Sequence, residues 1–349
     1  MKERTKEIIK DGFASLVNNA AVIRGAKNGP FWLTLIMFIL SVFIPVLPIF
    51  IAQNKITGSS FISSNTYAVE RYITKIGMDL KDNGVTLVVD DNHELSVKEN
   101  DAEIDYTSYG SSKAYAAYID QVNGQYDFLI YVSDATLTKE KTTINTAISA
   151  NRYKAESIEI AAAEEENFYA SSYMILFKNG LYVALYNGSK LIAQSYSGDF
   201  LKIEPGTDLV KMLLTVEDSE GNLVSPSLTN PDYENGVLAN YKVLLNKSYA
   251  TLKVKNTWIT SAIYLGVFFG LSLLMGFLMW ILTRGKNNPN NYFSLWLCYK
   301  IQGRLALAPA LITLLVGLFL SSYAPIIFIG TIGLRVMWMS MKELRPVQG

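Results

Sequence analysis

Apolar residues along this chain gather into four long runs, and one long polar segment separates the first run from the other three. A bilayer core of about 30 Å requires about 20 apolar residues in a helix. The two longer runs, Phe31–Ala52 and Ile259–Leu282, reach that length without a charge, and the last two are shorter. The pattern predicts transmembrane helices at 31–52, 257–283, 305–322 and 324–341.

Basic residues beside these runs predict the orientation. Lysine and arginine concentrate in segments 1–30, 284–304 and 342–349, which share one side if the four helices alternate. Because basic flanks mark the cytoplasmic side, we expect a multi-pass protein of the cell membrane with both termini in the cytoplasm. The first run is longer than that of a secretory signal and ends without a small-residue cleavage site, so we expect a retained anchor. Residues 53–256 then form an extracytoplasmic domain.

The N-terminal segment carries one apolar stripe at helical spacing, with lysine and arginine around it. This pattern predicts a cytoplasmic amphipathic helix over 1–30. Such a helix can lie in the membrane interface or pack on a helix of a cytosolic partner. The stripe consists of Ile9, Phe13, Leu16, Val17 and Ala20.

The long polar segment mixes helix and strand signals. The predicted fold class is therefore α+β, with four transmembrane helices and a large extracytoplasmic domain that has an antiparallel sheet and flanking helices. The Asn-Gly pairs at 179–180 and 187–188 predict type I′ turns of a three-stranded meander, because these turns require positive φ at both central residues. Segment 211–216 is expected to extend that meander. A helix is predicted at 65–80, and strands at 85–90, 94–98, 114–122, 125–132, 173–178, 181–186 and 190–196.

Two further segments bear on how the domain is attached. One apolar helical face begins near Val237 and continues into the second transmembrane run, which predicts a single long helix. The helix at 65–80 follows the first run closely, and two such helices would be stiffer stalks than a Gly/Ser linker. The stretch 135–167 is rich in alanine and glutamate, and its pattern fits a helix or a mobile insertion.

Charge and composition exclude several functions. The chain has 31 basic and 31 acidic residues, but residues 53–256 have 18 against 27, and an acidic domain argues against nucleic acid as a partner. His93 is the single histidine, so a site with several histidine ligands is excluded, and we expect it to be a solvated turn residue. No glycine-rich phosphate loop is present, and Cys298 is the only cysteine. We expect no catalytic residue, no metal site and no cofactor.

The predicted domain is rich in tyrosine. Tyrosine can stack on sugar rings, but it more often covers half-buried strands. The carboxylates of the domain show no spacing that marks a glycosidase pair. The tyrosines in question are Tyr106, Tyr109, Tyr115, Tyr118 and Tyr126.

Two features of the transmembrane runs are candidates for helix contacts. Ala262, Gly266 and Gly270 repeat every four residues, and small residues at this spacing allow close approach of another helix, within the chain or in an oligomer. Arg335 lies within the fourth run. It is expected either to reach the cytoplasmic interface beside Trp338, or to be an interhelical partner or a functional charge.

The layout resembles a family of bacterial membrane proteins of unknown function, often labelled maltodextrin utilisation proteins. The matching features are the basic amphipathic N-terminus and the segments 84–89, 94–97, 126–132, 291–301 and 305–309. This resemblance implies a link to carbohydrate uptake, without catalytic residues to carry over.

We therefore expect a non-enzymatic accessory or regulatory component of a membrane complex, whose partners are the lipid bilayer and a membrane protein or a second copy. The alternative is a membrane-tethered receptor for an extracellular ligand. A carboxylate-dependent extracellular hydrolase is the third possibility.

Overall fold

The computed structural model describes residues 10–60, 69–104, 112–120, 125–137, 172–186, 192–227, 229–285 and 288–344, with only the backbone at 69–73, 112–120, 125–129, 172, 185–186 and 192–196. The described helices are α1 (Asn19–Asn28), α2 (Phe31–Phe43), α3 (Leu47–Lys55), α4 (Val69–Asp82), α5 (Leu209–Leu214), α6 (Pro231–Leu282), α7 (Leu295–Leu305), α8 (Leu307–Gly317) and α9 (Ala324–Lys342). The described strands are β1 (Val85–Val89), β2 (Leu95–Glu99), β3 (Ala102–Glu103), β4 (Ser112–Asp120), β5 (Gln125–Ser133), β6 (Ser172–Phe177), β7 (Gly180–Tyr186) and β8 (Ile192–Asp199).

The chain divides into two compact units. The part up to Lys55 and the part from Lys255 onward form the first, which we call the helical unit, and Ile56–Val254 form the second, the sheet unit. Within the described residues, four helices are long and apolar enough to cross a membrane, as the hydrophobic pattern predicts. They are Phe31–Lys55, Pro231–Leu282, Leu295–Gly317 and Ser321–Lys342.

Two helices begin well before their predicted starts. The long helix α6 begins at Pro231, before the predicted start at Val237, and runs unbroken to Leu282. The third apolar helix begins at Leu295, so part of the predicted 284–304 loop is helical. The cause is local, because the Ser294 hydroxyl accepts the Leu297 N–H at 3.1 Å and caps α7.

The described part of segment 1–30 does not form one amphipathic helix. Helical residues 10–14 end in a turn, and α1 starts afresh. The Asn18 side chain accepts two N–H groups in the first turn of α1, at 2.9 and 3.3 Å, and so caps the new helix. The break leaves the Phe13 and Val17 side chains 72% and 73% exposed.

The described strands form two sheets in the sheet unit. β1, β2 and β3 form an antiparallel sheet, and β4 to β8 form a sheet in sequence order. The predicted three-stranded meander is confirmed as β6, β7 and β8, and the predicted pairing of β4 with β5 is confirmed as well. β5 and β6 pair in parallel, which the sequence pattern did not predict.

The prediction that 211–216 extends the meander is wrong. This segment lies mostly in helix α5, because the Asp208 carboxylate accepts the N–H groups of Val210 and Lys211 at 3.0 and 3.3 Å. After α5, a turn at 219–222 joins a single bridge between Glu217 and Leu223.

The prediction of a type I′ turn at 179–180 is also wrong. Neither Asn179 nor Gly180 has a left-handed φ. Gly180 pairs with Phe177 as the first residue of β7, so Lys178 and Asn179 are the loop residues. The Asn179 side chain instead accepts the Leu137 N–H at 2.8 Å. The second Asn-Gly pair, at 187–188, lies outside the described residues.

Helices α4, α5 and α6 cover one face of the strands and form the core of the sheet unit with them. Alternate residues of β5, β6 and β7 point into this core, as the period of a strand requires. Glycines allow α6 to approach closely, since a Cβ at Gly58 would overlap the Leu245 backbone. Buried members of the core include Ile76, Leu80, Leu87, Val132, Leu176, Val183, Leu213, Tyr233, Tyr241 and Leu245.

Candidate functional site

The predicted small-residue stripe on α6 faces away from the rest of the helical unit. Ala262, Gly266 and Gly270 are exposed. A Cβ added at Gly266 or Gly270 would meet nothing within 4 Å. Within the described residues, the stripe therefore has no helix of its own chain packed against it.

Other glycines of the same unit form the close helix contacts. A Cβ at Gly276 would overlap the ring of Tyr299 on α7. A Cβ at Gly303 would lie 3.0 Å from the Phe38 Cβ, and one at Gly317 would lie 2.9 Å from Pro48. The described helices therefore pack through these positions, which the sequence analysis did not single out.

Arg335 contacts the N-terminal segment through its guanidinium. Nη2 donates to the Ser15 carbonyl oxygen at 2.7 Å, and Nη1 donates to the carbonyl oxygen of Leu16. Both carbonyls lie in the turn after helical residues 10–14, where a helix leaves carbonyl groups without N–H partners. A cation is favourable at this end of a helix. Arg335 is therefore bonded to the backbone of the N-terminal segment, and its predicted roles at the interface or between helices stay predictions.

Arg304 is a buried polar side chain of this unit that sequence reasoning missed. Its side chain is buried, and its Nε donates to the Thr34 hydroxyl on α2 at 3.0 Å. The guanidinium lies directly against Gly25 and Gly29, because a Cβ at either glycine would overlap it. The Nη2 group has no partner among the described residues. The available signal was the Gly25-x-x-x-Gly29 spacing, which marks a groove for a close neighbour.

Two amides are buried in the same unit. Asn19 on α1 and Gln302 on α7 are 3% and 0% exposed, and neither side-chain amide has a hydrogen-bond partner in the part of the chain described. Buried polar groups in a membrane helix bundle usually bond across helices. Together with Arg304, these amides are buried polar groups on α1 and α7.

In the sheet unit, His93 occupies a turn, as predicted. Its φ is 58°, and its Nδ1 lies 3.1 Å from the Ile203 carbonyl oxygen. Among the described residues, no group of three or more His, Cys, Asp or Glu side chains lies close enough to hold a metal ion. Tyr106 and Tyr109, and the side chains of Tyr115, Tyr118 and Tyr126, lie outside the described part of the structure.

A different pair of tyrosines is buried on the strands. Tyr173 on β6 and Tyr182 on β7 have ring centroids 5.8 Å apart and are both at most 2% exposed. Burial raises the pKa of Tyr173, and Tyr182, which shares a side-chain hydrogen bond with it, raises this pKa further. These tyrosines are core residues and not a surface for sugars.

The sheet unit also contains a half-open pocket of about 560 Å³. Its walls come from α4, β1, α5, the chain after α5, and Tyr233 near the start of α6. The Tyr233 hydroxyl donates to the Leu214 carbonyl oxygen at 3.1 Å. The Asp208 carboxylate, also at the pocket, is engaged as the cap of α5. The lining is mainly apolar, with Lys81, Asp82 and Lys211 at the pocket as well.

Comparisons with protein-family models, with curated proteins and with solved structures found no match to this chain.

Proposed function

We propose that this protein is a non-enzymatic accessory or regulatory component of a membrane complex, with the sheet unit as its extracytoplasmic domain. The observation that carries the proposal is the open stripe of Ala262, Gly266 and Gly270 on α6. The described helices of the chain pack elsewhere and leave this stripe exposed.

An open glycine stripe favours a partner helix over lipid alone. Glycine in a helix interior is about 1 kcal/mol less favourable than alanine, and lipid chains gain nothing from its missing side chain. A neighbouring helix does gain, because two backbones approach closely at small residues. The resemblance to maltodextrin utilisation proteins makes a carbohydrate uptake complex the first partner class to examine.

The test is affinity purification of the full chain in mild detergent, with identification of the proteins that co-purify. The variant Gly266→Leu with Gly270→Leu blocks close approach and keeps the span apolar. Gly330→Leu on α9 is the matched control, since a Cβ at Gly330 also meets nothing within 4 Å.

We expect the double variant to insert and melt like the parent chain but to lose its partner, whereas the control keeps it. Retention of the partner by the double variant would contradict the proposal. Co-expression of two differently tagged copies separates a second copy of this chain from another protein.

A second candidate function is ligand reception, which the 560 Å³ pocket favours. Ligand pockets commonly have volumes of about 300–1,000 Å³ and mostly apolar linings. Thr86→Trp would fill the pocket from β1, and Ser96→Trp places the same side chain on the exposed side of β2. A maltodextrin that raises the melting temperature of the parent and of Ser96→Trp, but not of Thr86→Trp, would favour reception.

A further inference from the structure

An open groove of about 940 Å³ lies on the helical unit between α8, α9 and the N-terminal segment. Its lining is almost wholly apolar and includes Ala308, Leu311 and Ile312 of α8, Leu334 and Trp338 of α9, and Leu16. All the helical residues that line it belong to helices long and apolar enough to cross a membrane. A groove of this composition on a transmembrane surface is suited to the acyl chains of a lipid.

A cationic side chain, that of Arg335, also lines the groove. Its hydrogen bonds go to two neutral carbonyl oxygens, those of Ser15 and Leu16. Its Nε has no partner among the described residues. The guanidinium is partly buried next to an apolar surface. It keeps its positive charge there because arginine stays protonated in proteins.

No carboxylate in the described part of the helical unit compensates this charge. The described acidic residues there are Asp11, which pairs with Arg24 at 3.3 Å, and Glu343, which follows the end of α9. Lys342 lies nearby in sequence, with its Nζ 6.0 Å from the centre of the Trp338 ring. Basic pockets between transmembrane helices favour anionic lipid headgroups.

The N-terminal segment adds further exposed apolar side chains beside the groove. Phe13 and Val17 are 72% and 73% exposed, and Val17 lines the groove. Exposed apolar side chains on a short amphipathic segment insert at the headgroup boundary. The carbonyl groups that Arg335 binds belong to this segment, so the headgroup and the segment would meet at one place.

From this geometry we propose that the groove binds an anionic phospholipid, with the acyl chains against α8 and α9 and the phosphate at Arg335. The apolar lining and Arg335 are both needed for this binding. The lining holds the acyl chains, and the uncompensated guanidinium selects the negative headgroup. The occupant is a lipid and not free phosphate, because the charge stands at the edge of an apolar surface.

The test uses the full-length chain, stripped of lipid in mild detergent and titrated with phosphatidylglycerol or phosphatidylcholine. Native mass spectrometry counts the bound lipids. Arg335→Gln removes the charge, and Ala308→Trp fills the groove and leaves Arg335 intact. Ile326→Trp is the control, because it lies on α9 outside the groove and is 66% exposed.

We expect the parent chain and Ile326→Trp to prefer phosphatidylglycerol. Arg335→Gln should lose roughly fivefold of this preference, since one basic residue near an anionic membrane contributes about that factor. Ala308→Trp should lose both lipids from the tight site, and inorganic phosphate should not compete. Equal binding of the two lipids by the parent, or unchanged binding in Ala308→Trp, overturns the proposal. If Arg335→Gln does not fold, the Ala308→Trp result decides alone.

Discussion

Arg304 and its two glycines show how one buried side chain fixes the contact of several helices. The guanidinium touches α1 at Gly25, the residue after α1 at Gly29, and α2 through Thr34. Because the side chain is buried and bonded to Thr34, it cannot move aside at low cost when a neighbour grows. The two glycines are therefore required by space and not by backbone conformation.

Gly25→Ala should destabilise the helical unit. The added Cβ overlaps the Arg304 guanidinium, and overpacking of this kind costs about 1–3 kcal/mol. Gly12→Ala is the matched control, because a Cβ there meets nothing within 4 Å, and alanine is the better helix former. Melting temperatures of the purified full chain measure both. A Gly25→Ala protein as stable as Gly12→Ala would show that the Arg304 side chain can move aside for an added methyl group.

Tyr173 should make the sheet unit sensitive to alkaline pH. Burial raises the pKa of Tyr173 in the folded chain above its unfolded value near 10. The unfolded chain therefore binds fewer protons than the folded chain above about pH 10, and the free energy of unfolding falls as pH rises. The contribution of Tyr173 to the free energy of unfolding is fully present below the pKa that tyrosine has in the unfolded chain.

In Tyr173→Phe this alkaline loss should become shallower, although the variant loses a hydrogen bond and about 1 kcal/mol at neutral pH. Denaturant unfolding monitored on the sheet unit, between about pH 8 and pH 11, measures the slope. Parallel curves for variant and parent would mean that Tyr173 ionises in both states alike.

At the residue scale, the sequence indicated which side chains are candidates for contacts better than it indicated which groups they contact. Gly266, Gly270 and Arg335 were singled out because composition and spacing mark them on a helix. Arg304 looked like a basic flank, since its contact with Thr34 joins residues far apart in the chain. The contact of Arg335 with Ser15 is hidden for the same reason, and because the acceptor is a carbonyl group that any residue carries.

At the scale of elements, the alternating pattern predicted most of the described strands, since side chains on one strand face alternate. The pattern failed where a helix cap determines the secondary structure, or where a strand pairs with one far away in the sequence. Segment 211–216 is apolar enough for a strand, but the Asp208 cap favours α5. The parallel pairing of β5 with β6 joins strands separated by a long stretch of chain, and no local pattern encodes it.

The β6–β7 hairpin gives the prediction at this scale. A Cβ at Gly180 would overlap the Gly198 carbonyl oxygen of β8 and lie 3.2 Å from the Asp199 Cα. Gly180→Val should therefore lower the stability of the sheet unit by more than about 1 kcal/mol, through crowding and not through positive φ.

Gly180→Asn separates the two causes. Asparagine tolerates a left-handed φ, so it would be mild if the turn required one. Because the cause is close approach to β8, we expect Asn and Val to destabilise alike in chemical unfolding of the full chain. A well-tolerated Asn would restore the type I′ interpretation.

At the scale of the whole molecule, the length and polarity of the four runs were sufficient to predict the apolar helices, because a bilayer sets their length. The orientation rests on charge alone. In the described part of the helical unit, basic residues such as Lys10, Lys27 and Arg284 far outnumber the acidic ones. These lie outside the apolar cores, where the positive-inside rule applies.

The last prediction concerns this orientation. If basic flanks lie in the cytoplasm, the sheet unit lies outside and both termini lie inside. The chain has a single cysteine, Cys298, which is buried, so one introduced cysteine can be labelled over a low background. Glu220→Cys lies in an exposed turn of the sheet unit, and Lys10→Cys lies in the exposed N-terminal segment.

A membrane-impermeant maleimide should label Glu220→Cys in intact cells and Lys10→Cys only after permeabilisation. Cys298→Ala serves as the unlabelled parent for both variants. The opposite labelling pattern would show that the chain has the inverse orientation. Helix α6, with its stripe of Ala262, Gly266 and Gly270, would then cross the membrane in the opposite direction. Labelling of both positions in intact cells would place both outside and rule out a single span between them.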